Sequence, residues 1–287
     1  MTRYLITGAH GMLGRDLQAA LAAAPGTRHI TAVGRAELDI TDPAACRTTV
    51  TGHDVVLNAA AYTAVDAAET DEPAAHLVNA IGAENLAAAS RAAGAVLVQY
   101  STDYVFDGAQ NEPYAEDAPL APVSAYGRTK AEGERRARAT HPDGTIVLRT
   151  AWLYGEHGPS FVRTMVRLYR EHGHLTVVND QRGQPTWTRD LAEQTVRTLD
   201  AGVRNATLHG TNSGATTWHG FAQAIVENLG GDPHDVAPVP SAQFPRPAPR
   251  PANSVLGHDG WAALGLRPLR AWRHALDSAM ANAGLAA

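Results

Sequence analysis

The passage from the first apolar run into the first helical stretch constrains this chain more than any other feature. RYLIT (3–7) has strand character, and LGRDLQAALAAA (13–24) has helical character and is stopped by Pro25-Gly26. Between them lies Thr7-Gly8-Ala9-His10-Gly11-Met12-Leu13-Gly14, with glycines at 8, 11 and 14. Such glycines permit a tight turn and let the backbone approach a pyrophosphate at the helix N-terminus. The spacing G-x-x-G-x-x-G differs from G-x-G-x-x-G. The strand–turn–helix setting nevertheless predicts a dinucleotide site at Gly8, Gly11 and Gly14.

Further short apolar runs follow at RHITAV (28–33), DVVLN (54–58), AVLVQYS (95–101) and TIVLR (145–149), with Ala-rich helical stretches between them, the longest near 73–93. The runs are continuous rather than alternating, as expected of strands covered on both faces. Strand–helix alternation predicts an α/β chain with a doubly wound parallel sheet. After about residue 150 the pattern changes, with helices expected at 160–171 and 188–200. PVPSAQFPRPAPRP (238–251) must be extended or looped, and we expect it to fold against the body. The expected division is a cofactor-binding part at 1–153 plus roughly 188–215, and a smaller substrate part at roughly 154–187 and 216–287.

The formal net charge is −5, which does not suggest a nucleic-acid partner. No apolar run approaches the ~18 residues of a membrane helix, and the N-terminal apolar stretch is too short for a signal peptide. The one cysteine, Cys46, cannot form an internal disulfide and fits a reducing, cytoplasmic setting. The 13 histidines show no metal-ligand spacing, so no metal site is expected, and His172 and His174 read as solvent-facing.

The second strand ends at Val33-Gly34-Arg35, where a carboxylate would suit a ribose 2′-hydroxyl. Arg35 suits a 2′-phosphate instead, so NADPH is the expected cofactor and NADH the alternative. Asp39-Ile40 follows and is placed to frame the adenine. Tyr126 and Lys130 stand at i and i+4 on a helix, on one face. An ammonium beside a phenol favours phenolate, so a Tyr126 pKa drawn from about 10 toward neutrality is expected. Lys130 is the one lysine among 24 basic residues, in a chain where arginine has replaced lysine everywhere else. Thr102 closes a predicted strand, where ligands of open α/β sheets bind, and offers a hydroxyl to a substrate oxygen.

Together these features resemble the extended short-chain dehydrogenase/reductase superfamily and, more narrowly, the dTDP-4-dehydrorhamnose reductase family. The resemblance runs over nearly the whole chain, through TGAHGMLG (7–14), LDITD (38–42), NAAAYTAVDAAE (58–69), YSTDYVFDG (100–108), YGRTKAEGE (126–134), RTAWLYG (149–155), NDQRGQPT (179–186), TTWHGFA (216–222) and RPANSVL (250–256). It implies a Rossmann-type sheet with a smaller nucleotide-sugar-binding domain. It implies that Gly11, Met12 and Leu13 contact the cofactor pyrophosphate, Asp39 and Ile40 the adenine, and Ala61, Tyr62, Thr63 and Tyr100 the rest of the groove. Thr102, Tyr126 and Lys130 become the catalytic trio, with Asp103 and Trp152 against the sugar and Gln181 and Arg250 near the nucleotide. The implied activity is NADPH-dependent reduction of the C4 ketone of dTDP-4-dehydro-L-rhamnose, by a monomer or homodimer.

Some members hold Mg²⁺ between subunits through glutamates. Asp16 and Asp190 stand at the matching positions, each one methylene shorter, with no clear third match in the C-terminal tail. Two other readings stay open. One is reduction of another dTDP-4-keto-6-deoxysugar, as in dihydrostreptose formation. The other is a non-catalytic NADP-binding regulatory subunit, against which the intact trio argues. A 4,6-dehydratase fits less well, because Asp103 is followed by Tyr104 rather than glutamate.

Overall fold

The computed structural model describes residues 1–282, 284 and 285. Each apolar run of the first half becomes a strand: β1 (Thr2–Thr7), β2 (Arg28–Val33), β3 (Val55–Asn58), β4 (Val96–Thr102) and β5 (Thr145–Thr150). A sixth strand, β6 (Ala206–His209), pairs in parallel with β5; the sequence did not single it out. The order across the sheet is β6-β5-β4-β3-β1-β2, all parallel. The chain leaves β1 toward β2 on one side and returns to β3 on the other. That reversal opens a crevice at the carboxyl ends of β1 and β3.

The longer helices are α1 (Met12–Ala23), α2 (Pro43–Val50), α3 (Gly82–Ala93), α4 (Ala125–Thr140), α5 (Phe161–His172), α6 (Thr188–Asp200), α7 (Trp218–Asn228) and α8 (Trp272–Asn282). Successive strand residues point to opposite faces. Tyr4, Ile6 and Leu57 therefore pack with Leu17 and Leu21 of α1 and Leu191 and Val196 of α6. Leu5, Val56 and Leu97 pack on the other face with Val50, Leu86 and Ala137. The helix expected near 73–93 is continuous but irregular: Glu72–His76, a π segment at Leu77–Ile81, then α3. A separate core joins Tyr154, Val162, Met165, Trp187, Phe221, Ile225 and Leu276. Trp261 and Leu269, also from the last third of the chain, pack instead into the sheet core.

The Pro-rich stretch is partly a strand, since Val236–Val239 pairs in parallel with Leu175–Val178. Its continuation is tied to the body at both ends. Ser241 N and Oγ donate to Asp180, at 2.9 and 2.5 Å, and Ala248 N donates to Asp66 Oδ1 at 3.2 Å.

Gly14 is required by the close approach of α1 to the turn before it, because a Cβ there would collide with Gly8 O and the Ala9 backbone. Backbone cannot yield as a flexible side chain does. Gly14→Ala is expected to destabilise the fold by about 1–3 kcal/mol, read as a lower urea midpoint. An unchanged midpoint would show that α1 shifts without cost.

Candidate active site

A groove of about 1040 Å³ lies over the crevice between β1 and β3. Gly8, Gly11, Met12, Leu13 and Gly14 form one wall. Arg35, Asp39 and Ile40, Ala61, Tyr62 and Thr63, and Tyr100, Tyr126 and Lys130 also line it. Every residue assigned to cofactor binding from sequence thus borders one cavity. Gly8 has φ +63°, and a Cβ there would come within 2.6 Å of the Ala59 backbone. The N-cap of α1 is Gly11, which offers no capping side chain, so its first amides are left to an outside acceptor. A pyrophosphate is the acceptor that such a helix start accommodates. A dinucleotide therefore fits the residues present.

Arg35 is exposed on the groove wall. Beside it is a carboxylate that sequence reasoning passed over: Glu37 accepts from Gly34 N at 2.8 Å and stands 3.8 Å from His10 Nε2. The signal was present, since an acidic residue close after the second strand is a known ribose partner. Asp39 is exposed and accepts from Thr41 N and Oγ1, at 2.9 and 2.7 Å. These bonds hold its carboxyl below the usual range, so it stays ionised at neutral pH.

Buried polar side chains cross the strand ends beneath the groove. Thr7 Oγ1 donates to Asn58 Oδ1 at 2.6 Å, and Asn58 Nδ2 donates to Gln99 Oε1 at 2.7 Å. Gln99 Nε2 donates to Tyr100 O at 3.1 Å, and the same carbonyl accepts from Lys130 Nζ at 2.6 Å. The Tyr100 hydroxyl faces away, 2.9 Å from Thr195 Oγ1.

The helix carrying Tyr126 and Lys130 is fixed at its start. Ser124 Oγ accepts from Gly127 N at 3.1 Å, and Glu69, from the NAAAYTAVDAAE stretch, accepts from Ala125 N at 2.7 Å. Asn79, in the π segment, brackets Tyr62: its Oδ1 accepts from Tyr62 N at 2.8 Å and its Nδ2 donates to Tyr62 O at 3.1 Å. Gly133 leaves room for the Asn79 carbonyl, which a Cβ would strike.

The phenol and the ammonium share the groove, but the sequence expectation of a lowered Tyr126 pKa fails. Burial pushes the phenol up to about 12, against a smaller lowering from its hydrogen bond to Thr102. Lys130 is not among the groups that move it; its Nζ donates to the Tyr100 carbonyl at 2.6 Å. Tyr126 is therefore protonated at neutral pH, the state an acid needs. Burial lowers Lys130 to about 8, with the Glu134 carboxylate opposing.

Asp103 is 2 % exposed and lies beside this pair. Its Oδ1 accepts from Thr102 Oγ1 at 2.9 Å, while its Oδ2 has no partner. Burial raises its carboxyl to about 6, with the nearby Ser254 and Thr102 hydroxyls opposing. Ser254 belongs to RPANSVL, so the last third of the chain reaches the site here. NDQRGQPT holds that segment: Gln184 Oε1 accepts from Leu256 N at 2.8 Å, and Arg182 N donates to Ala252 O at 2.8 Å.

Trp152 has φ +47°, a conformation rare for a bulky residue. Its indole stacks on Trp218 at 3.6 Å and lies against Gly183, where a Cβ would come within 2.6 Å of the ring. Strain at such a residue, about 1–3 kcal/mol, persists only where the surroundings over-determine it. Gln181 Nε2 donates to Ser241 Oγ at 2.8 Å. Arg250 sits not in open solvent but against Asp66, Nη1 to Oδ1 at 2.5 Å, and the Ala248 carbonyl at 2.7 Å. Neither Gln181 nor Arg250 borders the cofactor groove.

The RmlD substrate binding domain family matches residues 2–284. The chain belongs to this family. A relative in Streptomyces griseus, a dTDP-4-dehydrorhamnose reductase, is 49 % identical over 96 % of this chain and 91 % of its own length. One in Streptomyces antibioticus, a probable dTDP-4,6-dihydroxy-2-methyloxan-3-one 4-ketoreductase, is 51 % identical over 96 % and 94 %. The solved dTDP-4-dehydrorhamnose reductase of Bacillus anthracis, in complex with NADP, superposes with a TM-score of 0.92 over 98 % of this chain and 99 % of that one, at 35 % identity. Membership bears out the resemblance drawn from the motifs, and the six-stranded parallel sheet bears out the Rossmann-type fold.

Of the two positions matching the magnesium glutamates that the resemblance implies, Asp190 is otherwise engaged and Asp16 is not. Both Asp190 oxygens accept from Arg270 at 2.8 Å, and Oδ2 also accepts from Asn212 Nδ2 at 2.8 Å. Burial raises the Asp16 carboxyl, and its Oδ2 has no partner. Among the described residues no helix is long and apolar enough to cross a membrane. His172 and His174 are solvent-facing, as expected.

Proposed function

We propose that this chain uses NADPH to reduce the C4 ketone of a dTDP-linked 4-keto-6-deoxysugar, and that the sugar is dTDP-4-dehydro-6-deoxy-L-mannose, giving dTDP-L-rhamnose. The observation that carries the reading is the meeting of protonated Tyr126, Lys130 and the Thr102–Asp103 pair beside a dinucleotide groove. When bound, the dihydronicotinamide supplies hydride to the sugar C4. Tyr126 Oη gives its proton to the C4 oxygen as negative charge develops there, and Thr102 Oγ1 orients that oxygen. Lys130 holds positive charge beside the phenol, steadies the phenolate left behind, and reaches the nicotinamide ribose. Asp103 and Trp152 face the sugar, with Gln181 and Arg250 toward the nucleotide. For Arg250 to reach a diphosphate it must exchange its Asp66 partner. The second hydrophobic core supports assigning roughly 154–187 and 216–287 to the sugar nucleotide and the remainder to the cofactor.

NADPH should be consumed only when the epimerised 4-keto sugar is present. Equal turnover of simple ketones with no response to the dTDP-sugar would remove the reading. A second reading, reduction of a different dTDP-4-keto sugar, draws support from the 51 % identity to the ketoreductase of Streptomyces antibioticus.

Cofactor choice is expected to depend on Arg35. A charge-assisted contact of about 1.5–3 kcal/mol gives wild type a roughly 10–100-fold lower KM for NADPH than for NADH. Arg35→Ala closes that gap, with Glu37 left to serve the ribose hydroxyls of NADH. A wild type that prefers NADH would show that Glu37 dominates.

The pH profile should report Lys130. Its folded pKa of about 8 leaves it charged below that pH and neutral above it. Tyr126, at about 12, keeps its proton throughout. Then kcat/KM falls as pH rises through about 8. A profile flat to pH 10 (roughly the ordinary lysine range) would contradict this assignment.

A further inference from the structure

The motif TTWHGFA (216–222) supplies no group to the proton or hydride transfer, yet it carries one side of an aromatic stack near the site. Trp218 is the first residue of α7, and Thr217 Oγ1 fixes that helix start by accepting from Gly220 N at 3.0 Å. The Trp218 ring is backed by Phe161 of α5, with centroids 4.6 Å apart. On Trp152 it lies 3.6 Å away, centroid to centroid, with the planes 10° apart. Trp152 is the one non-glycine residue with a positive φ among the described residues. It stands between Thr150 and Leu153, both of which line the cofactor groove, and Thr150 pairs in register with Thr102. Thr186 N donates to the Trp152 carbonyl at 3.2 Å. Gly183 meets the ring as well, since a Cβ there would come within 2.6 Å of Cε2 and Cζ2. Gly183 pairs antiparallel with Thr216, and the neighbouring Arg182 backbone is bonded to Ala252 and Ser254. RTAWLYG, NDQRGQPT, TTWHGFA and RPANSVL thus converge around one indole.

We propose that Trp218 is a positioning residue for the sugar site: its ring holds the Trp152 indole in its left-handed backbone conformation, at the angle on which the apolar C–H face of a 6-deoxysugar packs. The proposal rests on the reading that Trp152 faces the sugar. A bulky residue at φ +47° leaves that conformation unless contacts forbid it. Trp218 and Gly183 supply those contacts. Aromatic pairs left to themselves prefer offset or edge-on arrangements to a centred sandwich. At 3.6 Å between centroids little offset remains, so the surroundings impose the stack. Packing alone does not call for it. Both indoles are only half-buried, while the enclosed core beneath them is built by Tyr154, Phe221 and Ile225. Strained backbone and an imposed stack, next to residues of the groove, serve the orientation of a surface.

Five tryptophans make the proposal readable by fluorine NMR of fluorotryptophan-labelled protein, with the Trp152 resonance assigned from Trp152→Phe. In wild type that resonance should be single and should move when dTDP-L-rhamnose is added. In Trp218→Leu it should broaden or split and lose its response to the sugar nucleotide. Steady-state kinetics of the same variant should show kcat/KM for the dTDP-sugar lowered about 10–100-fold, as for a misplaced positioning group, with KM for NADPH unchanged. Trp218→Phe keeps a flat ring and should recover most of the loss. Gly183→Ala leaves Trp218 in place and presses on the Trp152 ring directly, so it should reproduce the selective loss, and it decides the matter if Trp218→Leu does not fold. A stack that is only structural predicts a lower melting temperature in Trp218→Leu with the sugar response and the sugar kinetics retained. That result, or wild-type sugar kinetics in Gly183→Ala, overturns the proposal. Wild type that turns over the dTDP-sugar beside an equally active Trp218→Leu sinks this proposal alone. Wild type that neither turns over the sugar nor shifts its Trp152 resonance sinks the reading beneath it as well.

Discussion

Lys130→Arg should lower kcat by a factor on the order of 10²–10⁴ while leaving a folded protein. Lys130 is 4 % exposed, with Nζ 2.6 Å from the Tyr100 carbonyl. A compact ammonium fits between that carbonyl, the phenol side and the open groove. A guanidinium is planar, longer and aims its donors in a fixed fork, so it cannot occupy the same point. The groove offers the longer side chain somewhere to go, which is why the fold survives. The displaced group then intrudes where the cofactor ribose would lie, so KM for NADPH should rise as kcat falls. Steady-state kinetics beside a circular-dichroism melt checks both. A well-folded variant with near-wild-type kcat would mean that the lone lysine is an accident of arginine-rich composition.

Tyr126→Phe should cost a similar factor, on the order of 10²–10⁴ in kcat, with NADPH binding little changed. The substitution removes one oxygen and keeps the ring, which packs edge-on against Tyr104 at 6.0 Å. The groove wall therefore stays in place. What is lost is the proton at the sugar oxygen, and no neighbour replaces it. Thr102 has an alcohol proton already directed at Asp103, and Lys130 is held by the Tyr100 carbonyl. Tyr126→Phe combined with Lys130→Arg should be little worse than either alone, because the two groups act as a unit. Losses that multiply would assign them to separate steps. Substantial activity in Tyr126→Phe would make Thr102 or a water the acid.

Much of this was legible in the sequence because the decisive features are local. The strands β1 to β5 are apolar runs read almost to the residue, and the glycine turn announces itself between a strand and a helix. The pairing of Tyr126 with Lys130 follows from helical spacing alone. Features made by tertiary contact were not legible. Spacing places the phenol and ammonium on one face but does not say that a backbone carbonyl 30 residues away takes the ammonium. Nor does spacing show that the phenol is buried, which is why the expected lowering of the Tyr126 pKa gave way to a rise. β6 is four residues long and owes its place to pairing with β5, so it carries no strong pattern of its own. Arg149 is one arginine among many until the fold buries it against Glu134. Ser254, more than 150 residues after Asp103, could be assigned to a motif but not to the carboxylate whose pKa it influences.

The central claim is hydride delivery to the C4 ketone of a dTDP-linked sugar with the proton from Tyr126. The most direct test supplies dTDP-4-dehydro-6-deoxyglucose, a 3,5-epimerase and NADPH deuterated at the transferable position, and then identifies the product sugar by NMR. The account predicts dTDP-L-rhamnose carrying one deuterium at C4, and almost none formed by Tyr126→Phe. Deuterium at another carbon, or unchanged keto sugar with wild-type protein, would contradict it.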